Sequence, residues 1–359
     1  MLSQLLISCH AQTTAAVETP AYKDLRTGAE VLMKQQLPAG HVAVIGNQTS
    51  IVGNTHLVDT LIASGVNVAK IFCPEHGFRG TAEAGAKVDN STDPKTGLPI
   101  ISLYGKNKKP TPEQLKDVDC VVFDLQDVGC RFYTYISTLH YVMEACAEVG
   151  VPLVVLDRPN PNGHYVDGPV LDTAHYRSFV GMHPVPVVYG MTIGEYAQMI
   201  NGEGWLKGGM KCRLTVVPMD GYKRDSVGYV LPVPPSPNLR TTHAVALYPS
   251  LCLFEGTNCG VGRGTDWPFE WVTYEKDTLD LRQEKAPAAF SLRYLMEMYR
   301  RVPKGKFFLK SNFFEKLAGN GDLRRQIEQG MSEEEIRATW QPALDEFKKI
   351  REKYLIYSE

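Results

Sequence analysis

Short apolar runs alternate with amphipathic stretches along the first half of the chain. The apolar runs are rich in Val, Ile, Leu and Phe and lie at residues 41–46, 68–72, 119–124 and 151–156. Such near-continuous runs are typical of parallel strands that are covered on both faces. Between them, residues 55–64 and 137–149 have the periodicity of helices. This alternation predicts an α/β fold with a Rossmann-like parallel sheet over residues 21–167.

A second region begins near residue 168 and contains a strand pattern at residues 214–218. Thr192 and Glu195 form a predicted capping box that opens a helix, and Ser332 and Glu335 form another. After the second box, apolar residues recur at helical spacing and are assigned to the core: Ile336, Trp340, Leu344, Phe347 and Ile350. We therefore assign residues 168–359 to a C-terminal domain.

Four predicted strands end in polar clusters, led by Asn47, Glu75, Asp127 and Arg158. In a parallel sheet all of these clusters lie at one edge, where α/β proteins place their ligands. The sequence therefore predicts a one-sided crevice lined by carboxylates, amides and arginines. For the Glu75 loop taken alone, a solvated turn with a Glu–His contact is the alternative interpretation.

Composition excludes several classes of function. The 359 residues are 43% hydrophobic and 22% charged with a net charge of −2, which gives no basic surface for nucleic acid. No apolar run approaches the length of a membrane span. The eight cysteines form no C-x-x-C pair, which argues against a structural zinc site. We predict no metal.

Nucleotide cofactors lack a sequence signature. The first strand is followed by Gly46-Asn47-Gln48-Thr49-Ser50 and not by G-x-G-x-x-G. The chain also contains no P-loop and no G-x-S-x-G elbow. We predict no cofactor, and acid–base chemistry by carboxylates is the remaining interpretation.

Glycoside hydrolysis needs a carboxylic acid for the leaving oxygen and a second group that assists water or acts as nucleophile. Glu75, in a Pro- and Gly-bounded loop behind an apolar strand, is the best candidate for the acid. Asp127, Asp124 and Glu255 are candidates for the second group. The remaining candidates are arginines for an anionic substituent and aromatic residues for a sugar ring: Arg79, Arg131, Arg158, Arg263, Tyr133 and Trp267.

Six spaced motifs together resemble the exo-β-N-acetylmuramidases of peptidoglycan turnover. They span residues 27–269 in order, and the likeness resumes near the C-terminus: Gly46-Asn47-Gln48-Thr49-Ser50, Cys73-Pro74-Glu75-His76-Gly77, Phe123-Asp124-Leu125-Gln126-Asp127-Val128-Gly129, Leu156-Asp157-Arg158-Pro159-Asn160-Pro161, Gly168-Pro169-Val170-Leu171-Asp172 and Gly262-Arg263-Gly264-Thr265-Asp266-Trp267-Pro268-Phe269.

The resemblance implies a Rossmann-like domain, a smaller C-terminal α/β (α+β) domain and an active-site cleft between them. It implies release of N-acetylmuramic acid from non-reducing ends of peptidoglycan fragments, with Glu75 as a catalytic residue. Asp127 would orient Glu75 or the 2-acetamido group of the sugar, which could act as internal nucleophile. The lactyl carboxylate of the sugar would explain the arginines. Further expected substrate contacts are Asn47, Gln48, Ser50, His76, Asp124, Gln126, Asn160, Glu255 and Asn258.

The stretch at 271–290 departs from the family pattern because it is short, charged and poorly patterned. A shortened second domain would lack part of the cleft wall, so a non-catalytic muropeptide-binding envelope protein is the rival hypothesis. A cytosolic sugar-acid enzyme of another reaction type is a third. Binding without turnover would separate the first rival from an enzyme.

The N-terminal segment suggests the compartment. Leu6-Ile7-Ser8-Cys9 is similar to a lipoprotein processing site, and a linker rich in Thr, Ala, Glu and Pro follows. We predict that residues 1–20 are a signal-peptide remnant and linker, and that the protein is periplasmic or anchored by a lipid at Cys9. A disordered cytoplasmic N-terminus is the alternative.

Overall fold

The computed structural model describes residues 24–75, 77–79, 91–224 and 229–358. The strands are β1 (Val42–Gly46), β2 (Ile51–Val52), β3 (Thr55–His56), β4 (Val68–Cys73), β5 (Ser91–Thr92), β6 (Pro99–Ser102), β7 (Cys120–Asp124), β8 (Leu153–Leu156), β9 (Leu214–Val217), β10 (Trp271–Tyr274) and β11 (Asp277–Asp280). The helices are α1 (Gly28–Leu32), α2 (Leu57–Ala63), α3 (Pro112–Leu115), α4 (Tyr135–Val149), α5 (Ile193–Gly202), α6 (Thr242–Leu251), α7 (Arg293–Arg301), α8 (Phe313–Ala318), α9 (Asp322–Glu328) and α10 (Glu333–Glu352).

Within the described residues, seven strands form one sheet in the order β5-β6-β4-β1-β7-β8-β9. The pairings are parallel from β6 to β9, and β5 pairs antiparallel with β6 at one edge. The carboxyl ends of β4, β1, β7 and β8 therefore lie at one edge of the sheet, in that order. This confirms the predicted Rossmann-like α/β architecture.

The central strand β1 shows why these sequences form buried strands. Successive side chains of a strand point to opposite faces of the sheet. Ala43 and Ile45 pack into the core that includes α4 and α5, whereas Val42 and Val44 pack into the core that includes α1 and α2. All five residues of β1 are buried, because helices cover both faces.

The C-terminal part is helical, as predicted, and α10 begins at a capping box of Ser332 and Glu335. The predicted box of Thr192 and Glu195 opens α5 in the same way. Along α10, the predicted apolar stripe is buried at four positions and partly buried at the fifth, Ile350. The α10 stripe thus closes the core of the second region, as its spacing predicted.

The stretch at 271–290 contains an antiparallel hairpin, β10-β11, whose Val272 is fully buried. Phe290 is also buried and contacts the Trp340 ring on α10. Strand β9 joins the main sheet although it follows the predicted domain boundary at 167. That boundary and the shortening at 271–290 stay predictions, and the N-terminal segment with Cys9 lies outside the described residues.

Candidate active site

A cavity of about 500 Å³ opens between the carboxyl edge of the sheet and the C-terminal part of the chain. Glu75 and Tyr133 line it from the sheet side, and Glu255 and Arg263 line it from the C-terminal side. The same cavity is lined by Tyr104, Lys108, Phe132, Tyr135, Tyr248, Phe269, Phe313 and Leu317. Two carboxylates from distant parts of the chain thus line one cavity.

Glu75 owes its position to the end of β4. The strand ends at Cys73, and the Gly77 N–H donates to the Pro74 carbonyl at 3.3 Å, which closes a tight turn around Glu75. Gly77 has φ of +78°, a conformation that favours glycine. The Glu75 side chain is half-buried at the cavity wall. The next residue, the predicted substrate contact His76, lies outside the described residues.

Tyr104 is the neighbour of Glu75 across the strand ends, because β6 pairs with β4. Burial raises the pKa of Tyr104, and the charge of Glu75 and a hydrogen bond between the two side chains raise it further. The phenol therefore keeps its proton at neutral pH. Tyr104 can hold the Glu75 carboxyl group in a fixed orientation towards the cavity.

Glu255 is the second carboxylate of the cavity. It lies in a 3₁₀ turn at Cys252–Gly256 that continues α6, and its Oε1 accepts a hydrogen bond from Arg263 Nη2 at 2.5 Å. Burial raises the pKa of Glu255, the Arg263 guanidinium lowers it, and the charge of Glu75 raises it. The charge of Glu75 thus reaches the Glu255 carboxyl group.

Aromatic side chains form the apolar wall of the cavity. The rings of Tyr133 and Tyr135 lie 4.8 Å apart, and those of Tyr248 and Phe269 lie 4.9 Å apart, both edge to face. The Tyr133 hydroxyl donates to the Pro235 carbonyl at 2.8 Å. A cavity with aromatic walls and a few convergent polar groups suits a small polar ligand such as a sugar.

Asp124 and Arg158 do not line this cavity. They form a buried bidentate ion pair, with Arg158 Nε 2.5 Å from Asp124 Oδ1 and Nη2 2.8 Å from Oδ2. Their side chains are 0% and 3% exposed. Ser50 donates to the Asp124 carbonyl, so this pair joins the ends of β1, β7 and β8.

Asp127 is also buried away from the cavity lining. Its Oδ2 accepts hydrogen bonds from the Tyr189 hydroxyl and from the Gly129 N–H, the latter at 2.7 Å. Burial raises the pKa of Asp127 to about 6, against these hydrogen bonds. Burial raises the pKa of Tyr133 well above its usual value, and the charges of Asp127 and Glu75 raise it further. The charges of the buried carboxylate and of the cavity carboxylate thus both reach Tyr133.

The predicted amide contacts hold the strand ends together. Asn47 Nδ2 donates to the Tyr135 hydroxyl at 2.8 Å, and Gln126 Nε2 donates to the Pro159 carbonyl at 2.7 Å. Asn160 Nδ2 donates to the Met191 carbonyl at 2.8 Å, and Gln48 Nε2 contacts the carbonyls of the proline-rich segment 234–235. These side chains shape the loops beneath the cavity and do not line it.

The side chains of Arg131 and Arg79 bind other groups of this protein and do not line the cavity. The fully buried Arg131 donates to the carbonyls of Pro169, Val185, Leu317 and Ala318. Burial lowers its pKa to about 10, so the guanidinium stays charged at neutral pH.

The other predicted contacts also lie outside the cavity lining. Arg79 pairs with Asp93 and Asp59. The Asn258 side chain bonds the Lys306 carbonyl at 2.7 Å. Trp267 is 40% exposed, with the Arg282 guanidinium 5.4 Å from its ring.

The structure brings together Glu75, Tyr133, Glu255 and Arg263 among the predicted site residues. Sequence reasoning missed Tyr104, Lys108 and Tyr248. In the structure Tyr104 lies just after β6 as Glu75 lies just after β4, so the strand-end rule applied to β6 could have found it. Nothing in the sequence around Lys108 indicated a site, whereas Tyr248 begins the stretch that contains the candidates Glu255 and Arg263. Within the described part of the chain, no group of three or more His, Cys, Asp or Glu side chains is arranged to hold a metal, and no helix is long and apolar enough to cross a membrane.

Comparisons with known proteins agree with this architecture. Residues 42–243 match the family model described as exo-beta-N-acetylmuramidase NamZ, N-terminal, and residues 246–288 and 279–357 match its C-terminal counterpart. The peptidoglycan beta-N-acetylmuramidase NamZ of Bacillus subtilis (strain 168) is 39% identical, over 99% of this chain and 97% of that protein.

Two crystal structures of DUF1343 family proteins from Bacteroides fragilis NCTC 9343 are similar in fold. One has a TM-score of 0.86 and 40% identity and covers 94% of this chain and 100% of its own. The other has a TM-score of 0.80 and 31% identity and covers 93% of this chain and 99% of its own. Because the family models and the relatives cover nearly the whole chain, this protein belongs to the exo-β-N-acetylmuramidase family of glycoside hydrolases.

Proposed function

We propose that this protein releases N-acetylmuramic acid from non-reducing ends of peptidoglycan fragments, with Glu75 as general acid/base. The observation that carries the proposal is the single cavity that is lined by Glu75, Glu255 and Arg263. The name of the Bacillus subtilis relative supports the same substrate class.

The chemistry follows from these side chains. Glu75 gives its proton to the glycosidic oxygen while the bond from that oxygen to the anomeric carbon breaks, so the leaving sugar departs as a neutral alcohol. Water supplies the new oxygen on the anomeric carbon and gives a proton to the Glu75 carboxylate, which restores the acid. Glu255, held by Arg263, is the second carboxylate for this step. The 2-acetamido group of the substrate is the alternative second group.

Asp127 takes a different role in this proposal. It is buried and bonded to Tyr189 and to the Gly129 backbone, so it acts as a positioning residue. By fixing the turn at Gly129 it supports the segment that carries Tyr133 to the cavity wall.

In this proposal Arg263 selects N-acetylmuramic acid over N-acetylglucosamine. Among the predicted arginines it is the one that lines the cavity, and its side chain is 47% exposed. N-acetylmuramic acid differs from N-acetylglucosamine by a lactyl group with a carboxylate, which a guanidinium can bind through paired hydrogen bonds.

The test is hydrolysis of a chromogenic β-N-acetylmuramide and of the matching β-N-acetylglucosaminide. We expect turnover of the muramide alone, and Glu75→Gln should lower its kcat by about a thousandfold, in the range of general acid catalysis. Calorimetric binding of the muramide by a folded wild-type protein that does not turn it over would support the binding-protein hypothesis instead.

We also propose that the protein works in the cell envelope, since its proposed substrate is a cell-wall polymer. Mass spectrometry of the N-terminus of protein isolated from its native cells would test this. Processing at or near Cys9 supports an envelope location, whereas an intact Met1 in the cytosolic fraction would contradict it.

A further inference from the structure

A second cavity of about 550 Å³ adjoins the candidate active site. Its lining includes Tyr141, Arg177, Trp205 and Lys207. Lys108 and Phe179 line both cavities, so the two spaces meet at these side chains.

The second cavity has a surplus of positive charge. Lys108, Arg177 and Lys207 line it, and none of the three forms an ion pair within the described part of the chain. The carboxylate in the lining, Glu144, is already held by Lys109 Nζ at 2.7 Å and by the Lys207 N–H at 2.9 Å. The lining cations are therefore available to an anion from outside.

Neutral histidines form part of the wall and the layer beneath it. His140 and His183 are buried, and their ring nitrogens Nδ1 and Nε2 lie 2.9 Å apart. His183 Nδ1 is in turn 2.9 Å from the Tyr196 hydroxyl. Burial lowers the pKa of His140 to about 4, and Arg177 and Lys109 lower it while Glu144 opposes them. The positive charge of the cavity thus comes from lysine and arginine at any pH near neutral.

Flat aromatic surfaces lie beside these cations. The rings of Tyr141 and Phe179 stack at 6.2 Å with an interplanar angle of 17°. Trp205 stacks on His183 at 4.9 Å, which fixes the indole in place. Lys108 Nζ lies 4.3 Å from the centre of the Phe179 ring. Cations beside fixed apolar faces suit a sugar or short peptide that carries a carboxylate.

We propose that the second cavity binds a carboxylate on the part of the substrate that leaves, beyond the bond that is cut. This inference rests on the proposed function, which places the scissile bond beside Glu75. Peptidoglycan offers two sources of that carboxylate. One is the lactyl group of the next muramyl residue, and the other is a peptide attached to it.

The test compares three tetrasaccharides that begin with N-acetylmuramic acid. In the first the inner muramyl residue has a free lactyl carboxylate, in the second that carboxylate is an amide, and in the third it carries a tripeptide. An aryl β-N-acetylmuramide without further sugars is the reference substrate. The protein variants are the double substitution Arg177→Gln with Lys207→Gln and the matched double substitution Arg300→Gln with Lys304→Gln. The matched pair removes two exposed cations that line neither cavity.

We expect the ratio of kcat/KM for the tetrasaccharide whose carboxylate is bound to that for the aryl muramide to fall about tenfold in the first variant, the worth of one charge-assisted hydrogen bond. The matched variant should keep the wild-type ratio. If the lactyl group is the ligand, the amide substrate is poorer for the wild type; if the peptide is the ligand, only the tripeptide substrate is favoured. Equal ratios in both variants on every substrate would overturn the inference, whereas failure of the wild type on the aryl muramide would instead contradict the proposed function.

Discussion

Two groups of polar residues lie around the carboxyl edge of the sheet and differ in what surrounds them. Asp124, Arg158 and Asp127 are at most 4% exposed, and each is hydrogen-bonded to other parts of the protein. Glu75 and Arg263 instead line an open cavity. The comparison teaches that a cluster of charged residues after parallel strands contains both the structural support of a site and the groups that face its ligand.

The cost of burying a charge explains why the two groups should respond differently to substitution. A buried charge needs a partner with good geometry, and removal of that partner is strongly destabilising. The first group should therefore respond to substitution mainly through the free energy of unfolding. The cavity group is partly hydrated already, so its substitution should change the reaction while the protein keeps most of its stability.

The largest effect on stability is expected at the buried ion pair. Asp124→Asn leaves the Arg158 guanidinium buried without its carboxylate and should lower the free energy of unfolding by about 3–5 kcal/mol. The matched control is Asp280→Asn, which breaks an exposed pair with Arg282 and should change stability by less than about 0.5 kcal/mol. Urea denaturation measures both, and similar values for the two variants would contradict the structural role.

The pH dependence of stability should report the burial of Asp127. Its pKa is raised from 3.8 to about 6, so between these values the folded state keeps a proton that the unfolded state has lost. Its contribution to stability is present below about pH 4 and is lost as the pH rises through about 6, by about 3 kcal/mol in total. The Asp127→Asn variant has no carboxyl group at this position, so its stability does not show this pH-dependent loss. The stability of the wild type relative to the variant should therefore fall by that amount between about pH 4 and 7, and a constant difference would contradict the account.

Two glycines test how tightly the two regions are packed. Gly129 has φ of +73°, and a Cβ there would lie 2.1 Å from Asn160 Oδ1. Gly105, on the cavity wall, has φ of +71° with nothing within 4 Å of such a Cβ. Both alanine variants carry the strain of the left-handed conformation, about 1–2 kcal/mol. Gly129→Ala should cost at least about 1 kcal/mol more because Asn160 must move, and thermal unfolding would show whether it does.

The smallest effect is expected for Arg263→Gln. The loss of one guanidinium contact should lower the preference for the muramide over the glucosaminide about tenfold, mainly through the KM of the muramide. Steady-state kinetics on both substrates measures the preference. An equal loss on both would mean that Arg263 acts through Glu255 and not through the lactyl group.

Sequence periodicity predicted the parallel sheet because strands covered on both faces require continuous apolar runs. It also placed Glu75 correctly at a strand end. It could not tell which polar residues are buried and which line the cavity, because Asp127 and Glu75 both follow their strands closely. Their difference depends on Tyr189 and on Glu255, which lie far away in sequence.

The arginines show the same limit. Arg131 and Arg158 were expected to bind an anion, yet both Nη atoms of Arg131 donate to backbone carbonyls and Arg158 pairs with Asp124. Lys108, which had no motif around it, lines both cavities. Whether a cation faces the ligand is decided by long-range packing, which a local pattern does not contain.

The central claim is that Glu75, and not Asp127, supplies the proton for the leaving oxygen. The most direct measurement compares the wild type, Glu75→Gln and Asp127→Asn on two aryl muramides, one with a poor phenol leaving group and one with dinitrophenol. A good leaving group needs little protonation. The account predicts that Glu75→Gln loses about a thousandfold on the poor leaving group and at least about tenfold less on dinitrophenol, while Asp127→Asn loses the same on both. An equal loss for Glu75→Gln on the two substrates, or a leaving-group dependence for Asp127→Asn, would contradict it.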